Sequence, residues 1–109
     1  MTDVPWYVYL LECGNDTIYT GMTVDPKTRW QTHVRGRGAK YTRAFPPQRM
    51  LALYRCPERQ AAARLEYRIK QLDAPAKRRL IEANDALEAE IVAEICPSIR
   101  RWSLSRFDS

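Results

Sequence analysis

Two short runs rich in aromatic and β-branched residues, Trp6-Tyr7-Val8-Tyr9-Leu10-Leu11-Glu12 and Thr17-Ile18-Tyr19-Thr20-Gly21-Met22, stand one turn apart, with Gly14-Asn15-Asp16 between them. Runs of this kind favour strands, and a Gly-Asn-Asp cluster favours reversal, so the chain is expected to open as a β-hairpin. The rest of the chain is mostly helical in period. Asp25-Pro26 supplies an N-cap and a first helical position for a helix to about Val34. The stretch from Gly36 to Pro47, with Gly36, Gly38, Pro46 and Pro47, reads as a basic loop, and residues 50–55 as a third strand. Pro57 opens the next helix, in which Leu65, Ile69 and Leu72 mark the buried stripe and Ala62 lies one turn earlier. Asp73-Ala74-Pro75 ends it and begins a short helix to about Ile81. Asn84 or Asp85 caps a last helix carrying Leu87, Ile91 and Ile95, which Pro97 terminates. The order ββαβααα is that of an α+β domain, a small three-stranded, mostly antiparallel sheet flanked by helices. Residues 1–97 are expected to form this domain and 98–109 a C-terminal tail holding Trp102 and Phe107.

The length limits the alternatives. At 109 residues the chain is one domain, because barrel and two-domain dinucleotide folds need roughly 200 residues or more. No apolar run approaches the ~18 residues of a membrane span, and Met1-Thr2-Asp3-Val4-Pro5 has no basic segment leading into an apolar one. Cys13, Cys56 and Cys96 are an odd number, widely spaced, which argues against a disulfide framework or a zinc site. A cytoplasmic monomer with no membrane partner is the expectation.

Charge says more. Lys and Arg number 18 against 13 Asp and Glu, a net charge of +5. The segment Lys27 to Arg49 holds Lys27, Arg29, Arg35, Arg37, Lys40, Arg43 and Arg49 and no acid, whereas Leu80 to Cys96 holds Glu82, Asp85, Glu88, Glu90 and Glu94 and no base. A chain so divided can present phosphate to one face only, and nucleic acid is the partner such a face suits. Two solvated surfaces of opposite sign are the simpler alternative.

Several residues could carry chemistry. The hairpin offers Tyr7, Tyr9 and Tyr19. The first helix offers Arg29 and His33, four apart and so on one side. The helix after the third strand offers Glu66, beside Leu65 and Ile69 at the edge of the buried stripe, with Lys70 one turn on. A half-buried carboxylate needs a partner, a proton or a metal. Phosphodiester cleavage needs a hard cation on the phosphate, a positive group for developing charge and a base for water. The same residues also suit strand packing for the tyrosines, a helix-terminal charge for His33 and an i,i+4 ion pair for Glu66 with Lys70.

The ordered motifs resemble a known family. Tyr7-Val8-Tyr9, then Tyr19-Thr20-Gly21 ten residues after Tyr9, is similar to the paired signature of the GIY-YIG endonucleases. Gly21-Met22-Thr23-Val24-Asp25, Arg29 and His33 resemble that family's first helix. Gly36-Arg37-Gly38-Ala39-Lys40-Tyr41-Thr42-Arg43 and Ala63-Arg64-Leu65-Glu66-Tyr67-Arg68-Ile69-Lys70-Gln71-Leu72 resemble its small stand-alone bacterial members, the YhbQ-like proteins. The resemblance covers about residues 6–80.

It implies an endonuclease that hydrolyses phosphodiesters, in DNA rather than RNA, with structure preference or weak sequence selectivity. Tyr9 and Tyr19 would supply the general base and orient water, with Tyr19 favoured as base by its place at the mouth of the first helix. Arg29 would hold the scissile phosphate, and His33 would bond a tyrosine or the phosphate. Glu66 would bind one Mg²⁺ or Mn²⁺. Tyr7, Gly21, Arg35, Arg37, Lys40, Arg43 and Lys70 would face the nucleic acid, Gly21 by close backbone approach. A free phenol has pKa ≈ 10, so a tyrosine base implies that Arg29, Lys70 and the cation favour its ionised form. The sequence departs from the family pattern at Tyr7, where a glycine is usual, at Thr20, where an isoleucine is, and at Arg78, near which larger members carry an asparagine; Asn84 lies six residues on. The rival readings are a noncatalytic nucleic-acid-binding module that keeps this fold and a structural protein dimerising through the acidic last helix and Trp102.

Overall fold

In the computed structural model, which describes residues 4–15, 17–82, 86–102 and 104, the hairpin forms from β1 (Trp6–Cys13) and β2 (Ile18–Thr23). Their antiparallel register sets Tyr7 opposite Thr23, Tyr9 opposite Gly21 and Leu11 opposite Tyr19. Helix α1 (Pro26–Val34) comes next. Asp25 caps it by accepting from the Thr28 N–H at 3.1 Å, and Pro26 occupies its first turn. A second, five-residue helix α2 (Lys40–Ala44) leads into β3 (Pro47–Cys56), and α3 (Arg59–Lys70), α4 (Ala74–Ile81) and α5 (Ala86–Ile95) complete the helical part. The last element is a two-residue strand, β4 (Arg100–Arg101).

The sheet has four strands in the order β2-β1-β3-β4, all pairs antiparallel. The α+β class stands, but the three-strand expectation is corrected by one strand. A two-residue strand has no alternation to read. It is held instead by pairing of Arg100 with Arg55 and Arg101 with Tyr54, by the Trp102 N–H to Leu53 carbonyl bond of 2.8 Å, and by burial of Ile99. The expected basic loop likewise contains α2, whose five residues carry no side-chain cap. The helix expected to open at Pro57 starts two residues later. Its cap is Glu58, which accepts from the N–H groups of Gln60 and Ala61. Asp73 caps α4 through the Ala76 N–H at 2.9 Å. The expected cap at Asn84 or Asp85, and Phe107, lie outside the described residues.

Because β1 is central, its side chains are covered on both faces, which is why this run shows no polar alternation. On one face Val8, Leu10, Ala52 and Tyr54 pack with Leu65 and Ile69 of α3, Leu80 of α4 and Ile91 of α5. On the other, Tyr7, Tyr9, Leu11 and Leu53 pack with Tyr19, Trp30 of α1 and Trp102. The acidic α5 and the basic segment that contains α1 therefore lie on opposite faces of the sheet. Part of the acidic charge is matched locally: Glu88 accepts from the Tyr54 hydroxyl at 3.0 Å and pairs with Arg101 at 3.4 Å, and Glu94 pairs with Arg68 at 3.6 Å.

Candidate active site

The site is built on the cross-strand pair of Tyr9 and Gly21. The Tyr9 ring lies over the glycine so closely that a Cβ at position 21 would stand 2.4 Å from the phenolic oxygen and 2.5 Å from Cζ. The close approach that Gly21 permits is therefore made by Tyr9 itself. Tyr19 projects from the same face of β2, its ring centroid 6.3 Å from that of Tyr9. His33, in the last turn of α1, is 1% exposed. Its imidazole sits against both tyrosines, 5.6 Å from each ring centroid. The Tyr9 hydroxyl and His33 Nε2 are 2.9 Å apart. On the other side of the ring, Nδ1 lies 2.7 Å from the Thr42 hydroxyl oxygen, and that hydroxyl donates to the Ala39 carbonyl at 2.9 Å. Gly38 makes room for the imidazole, since a Cβ there would stand 2.2 Å from Nδ1.

Charge completes the cluster. The Arg29 guanidinium acts on Tyr9, Tyr19 and His33, and the Glu66 carboxylate acts on both tyrosines. The five residues singled out from sequence, Tyr9, Tyr19, Arg29, His33 and Glu66, are thus brought together from β1, β2, α1 and α3. Burial pushes the Tyr9 phenol above its usual range, with Tyr19 and Glu66 pushing the same way and Arg29 holding it back. Burial likewise raises Tyr19, against Arg29 and with Glu66 and Cys13. Among the protein's own groups desolvation outweighs Arg29, so ionising a tyrosine would rest on the cation that the expectation included. Burial, and then the neighbouring Arg29 charge, lower His33 to about 4, so at neutral pH its ring is uncharged. A neutral imidazole can accept a hydrogen bond from the phenol, but the burial and Arg29 charge that keep it neutral also make it a weak base, so full proton transfer to it depends on the negative charge of a bound phosphate.

Arg29 Nε is buried and meets no acceptor among the described residues. A buried donor in that condition costs about 1–3 kcal/mol. Glu66 pairs through Oε1 with Lys70 at 3.5 Å, its side chain 22% exposed. Among the described residues no group of three or more His, Cys, Asp or Glu could hold a metal. A cation here would have one protein carboxylate, which suits Mg²⁺ or Mn²⁺ completed by water and phosphate oxygens, since Mg²⁺ keeps several waters and takes one or two carboxylates.

The other candidates divide. Arg35, Arg37, Lys40 and Arg43 are all exposed, at the end of α1, in the link after it and on α2, and this basic segment is anchored to the site through Gly38 and Thr42. Tyr7 is 8% exposed, and its ring packs on Trp102 at 5.0 Å. The structure thus places it in the core and gives it no outward face, and the same contact shows Trp102 packing back on the domain. Sequence reasoning passes over Thr42 and Tyr41, although both stand in the motif from Gly36 to Arg43. Tyr41 stacks on Tyr19, centroids 6.0 Å apart and planes at 17°, while its hydroxyl accepts from Asn15 Nδ2 at 3.0 Å and bonds the Thr17 hydroxyl. Reading that stretch as exposed loop hides both, and neither has a periodic pattern that would reveal it. Arg78 pairs with Glu12 at 3.7 Å.

Residues 5–79 match the family model of the GIY-YIG catalytic domain. The chain is 44% identical over 86 residues to a UPF0213 protein of Xanthomonas campestris pv. campestris (strain 8004), a match covering 79% of this chain and 84% of that one. It is 39% identical over 85 residues to the UPF0213 protein YhbQ of Salmonella typhimurium, covering 78% and 85% respectively. Among solved structures, the solution NMR structure of a UPF0213 protein from Bacillus halodurans is similar, with 36% identity, 84% of this chain and 97% of that chain covered, and a TM-score of 0.49.

Proposed function

The chain belongs to the GIY-YIG endonuclease family, among its small UPF0213 (YhbQ-like) members, and from that premise we propose that it hydrolyses nucleic-acid phosphodiester bonds with one Mg²⁺ or Mn²⁺, acting on DNA in preference to RNA. The observation that carries the reading is the convergence of the Arg29 and Glu66 charges on Tyr9 and Tyr19, with the Tyr9 hydroxyl 2.9 Å from His33 Nε2. Arg29 takes a nonbridging phosphate oxygen. A water attacks phosphorus and gives its proton to the Tyr9 oxygen as the Tyr9 proton passes to His33 Nε2. The bond from phosphorus to the leaving oxygen breaks, and that oxygen takes a proton from solvent. Tyr19, less buried, orients the water. Glu66 would hold the divalent ion, which supplies polarisation of the phosphate when bound. The base so favoured is Tyr9, on the strength of its acceptor, in place of Tyr19, which the sequence spacing favours. Cys13, Cys56 and Cys96 are free thiols, which suits a reducing, cytoplasmic setting.

A plasmid and labelled-oligonucleotide cleavage assay tests this. Nicking or internal cutting with Mg²⁺ or Mn²⁺, abolished by EDTA, is expected. Salt-dependent binding without cutting under any metal would instead favour a noncatalytic binding module.

The exposed basic segment is proposed to supply affinity. Replacing Arg37 and Arg43, whose side chains are exposed, with Ala should reduce the slope of log K against log salt by about 1–2, because each lost phosphate contact removes roughly one released counterion. Fluorescence anisotropy titrations at several salt concentrations measure it. An unchanged slope would place the nucleic acid on another surface.

A further inference from the structure

We propose that Thr42 is a positioning residue that fixes His33 in its Nδ1–H tautomer and so keeps Nε2 open for the Tyr9 proton. This role rests on the nuclease reading and adds a residue behind the proton relay. Three hydrogen-bonding distances in a closed space carry it. Thr42 is 0% exposed and His33 is 1% exposed. The distances are Tyr9 hydroxyl to His33 Nε2 at 2.9 Å, His33 Nδ1 to Thr42 Oγ1 at 2.7 Å, and Thr42 Oγ1 to the Ala39 carbonyl at 2.9 Å.

In this geometry Thr42 directs its single proton to the Ala39 carbonyl, which also accepts from the Arg43 N–H at 3.0 Å. The Thr42 oxygen is then an acceptor toward His33, and Nδ1 must carry the hydrogen. In the neutral ring that leaves Nε2 with a lone pair, and the Tyr9 hydroxyl donates to it. The opposite tautomer would turn the Thr42 proton toward Nδ1 and leave two oxygens, those of Thr42 and Ala39, facing at 2.9 Å with no proton between them. One assignment of the neutral ring makes all three contacts hydrogen bonds. Burial and the Arg29 charge keep the ring in that neutral state.

The same geometry serves the ring after it takes the proton. In the imidazolium both nitrogens carry hydrogen: Nδ1–H still donates to Thr42, and Nε2–H donates to the Tyr9 oxygen. Passing a proton from Tyr9 to His33 therefore requires no change in the Thr42 or Ala39 bonds. Bonding of the second ring nitrogen in this way is how a histidine's tautomer and orientation are set in general. Gly38 holds the same arrangement sterically, because it lets α2 bring Thr42 against the ring. Tyr19 meets the imidazole edge-on through its own ring and offers no competing bond to Nδ1.

The chain has a single histidine, so ¹⁵N-histidine labelling reports His33 without ambiguity. Two-bond ¹H–¹⁵N spectra at neutral pH should show Nδ1 protonated and Nε2 bare in the parent chain, the reverse of the form a free histidine side chain favours. Thr42→Ser should keep that pattern and cut nucleic acid within about 3-fold of the parent. Thr42→Val, of similar shape but without the hydroxyl, should shift the ring toward Nε2–H and lower kcat by at least ~10-fold with KM unchanged. An Nε2–H ring in the parent overturns the proposal without any variant. So does a folded Thr42→Val protein that keeps Nδ1–H, or one that changes tautomer yet cuts at the parent rate. If the parent chain cuts nothing, the nuclease reading falls, and the spectra of parent, Ser and Val proteins alone decide whether Thr42 sets the tautomer.

Discussion

Glu66→Gln is expected to abolish cleavage while leaving nucleic-acid binding as strong as in the parent or stronger. The amide keeps the size of the side chain and its place on α3 but gives up the one carboxylate charge that acts on both tyrosines. Polarisation of a phosphate by a metal is worth several kcal/mol, and ~4 kcal/mol is roughly a 10³-fold rate. The fold should barely notice. The ion pair with Lys70 joins a side chain 22% exposed to one 52% exposed, a pair of the sort worth about 0–1 kcal/mol. Removing a negative charge beside the phosphate path favours binding. Cleavage rate, binding constant and melting temperature measured together separate these effects. Undiminished cutting by a well-folded Glu66→Gln protein would remove Glu66 from the mechanism.

Gly21→Ala carries the second large effect, and it acts on Tyr9. The added Cβ would stand 2.4 Å from the Tyr9 oxygen and 2.5 Å from Cζ. A long flexible side chain could swing aside, but the Tyr9 ring is 2% exposed and its hydroxyl is tied to His33. Either the ring or the β1–β2 pairing must move. Overpacking of this kind costs about 1–3 kcal/mol, or roughly 4–8 °C of melting temperature per kcal/mol in a domain of about this size. Displacing the hydroxyl from Nε2 should also forfeit the ~10²–10⁴-fold contribution of a general base. Thermal unfolding and cleavage rates of the alanine variant check both. Gly36 shows the contrast. It has φ of 75°, and a Cβ there would meet nothing within 4 Å, so its requirement is conformational, whereas that of Gly21 is space for another side chain.

Elements with their own local signal were legible in the sequence. The hairpin follows from its β-rich runs and turn residues, and α1 from the Asp25-Pro26 start, and both formed with nearly the expected bounds. The motif set named the residues that β1, β2, α1 and α3 converge on. What escaped was what depends on contacts distant in the chain. Helix α2 has five residues and no side-chain cap, and β4 exists because Ile99 and Trp102 pack back on the sheet. Glu58 caps α3 although glutamate is not a preferred cap residue. The direction of the tyrosine shifts could not be read either, because charge was visible in the sequence and depth of burial was not. Thr42 looked like one more polar residue in a basic loop. Its importance rests on a ring nine residues earlier that turns its Nδ1 toward it.

The central claim is that Tyr9, backed by His33, takes the proton of the attacking water. Single-turnover cleavage by Tyr9→Phe and Tyr19→Phe, each compared with the parent and each with its thermal unfolding recorded, tests it most directly. The phenylalanine at position 9 keeps the ring in the core and loses only the hydroxyl, so stability should fall by about 1–3 kcal/mol, because the buried His33 Nε2 and Arg29 lose their partner. The account predicts a ~10²–10⁴-fold loss of rate at Tyr9, and a smaller loss at Tyr19. A Tyr9→Phe protein that cuts as fast as the parent, or a larger loss at Tyr19 than at Tyr9, would contradict it.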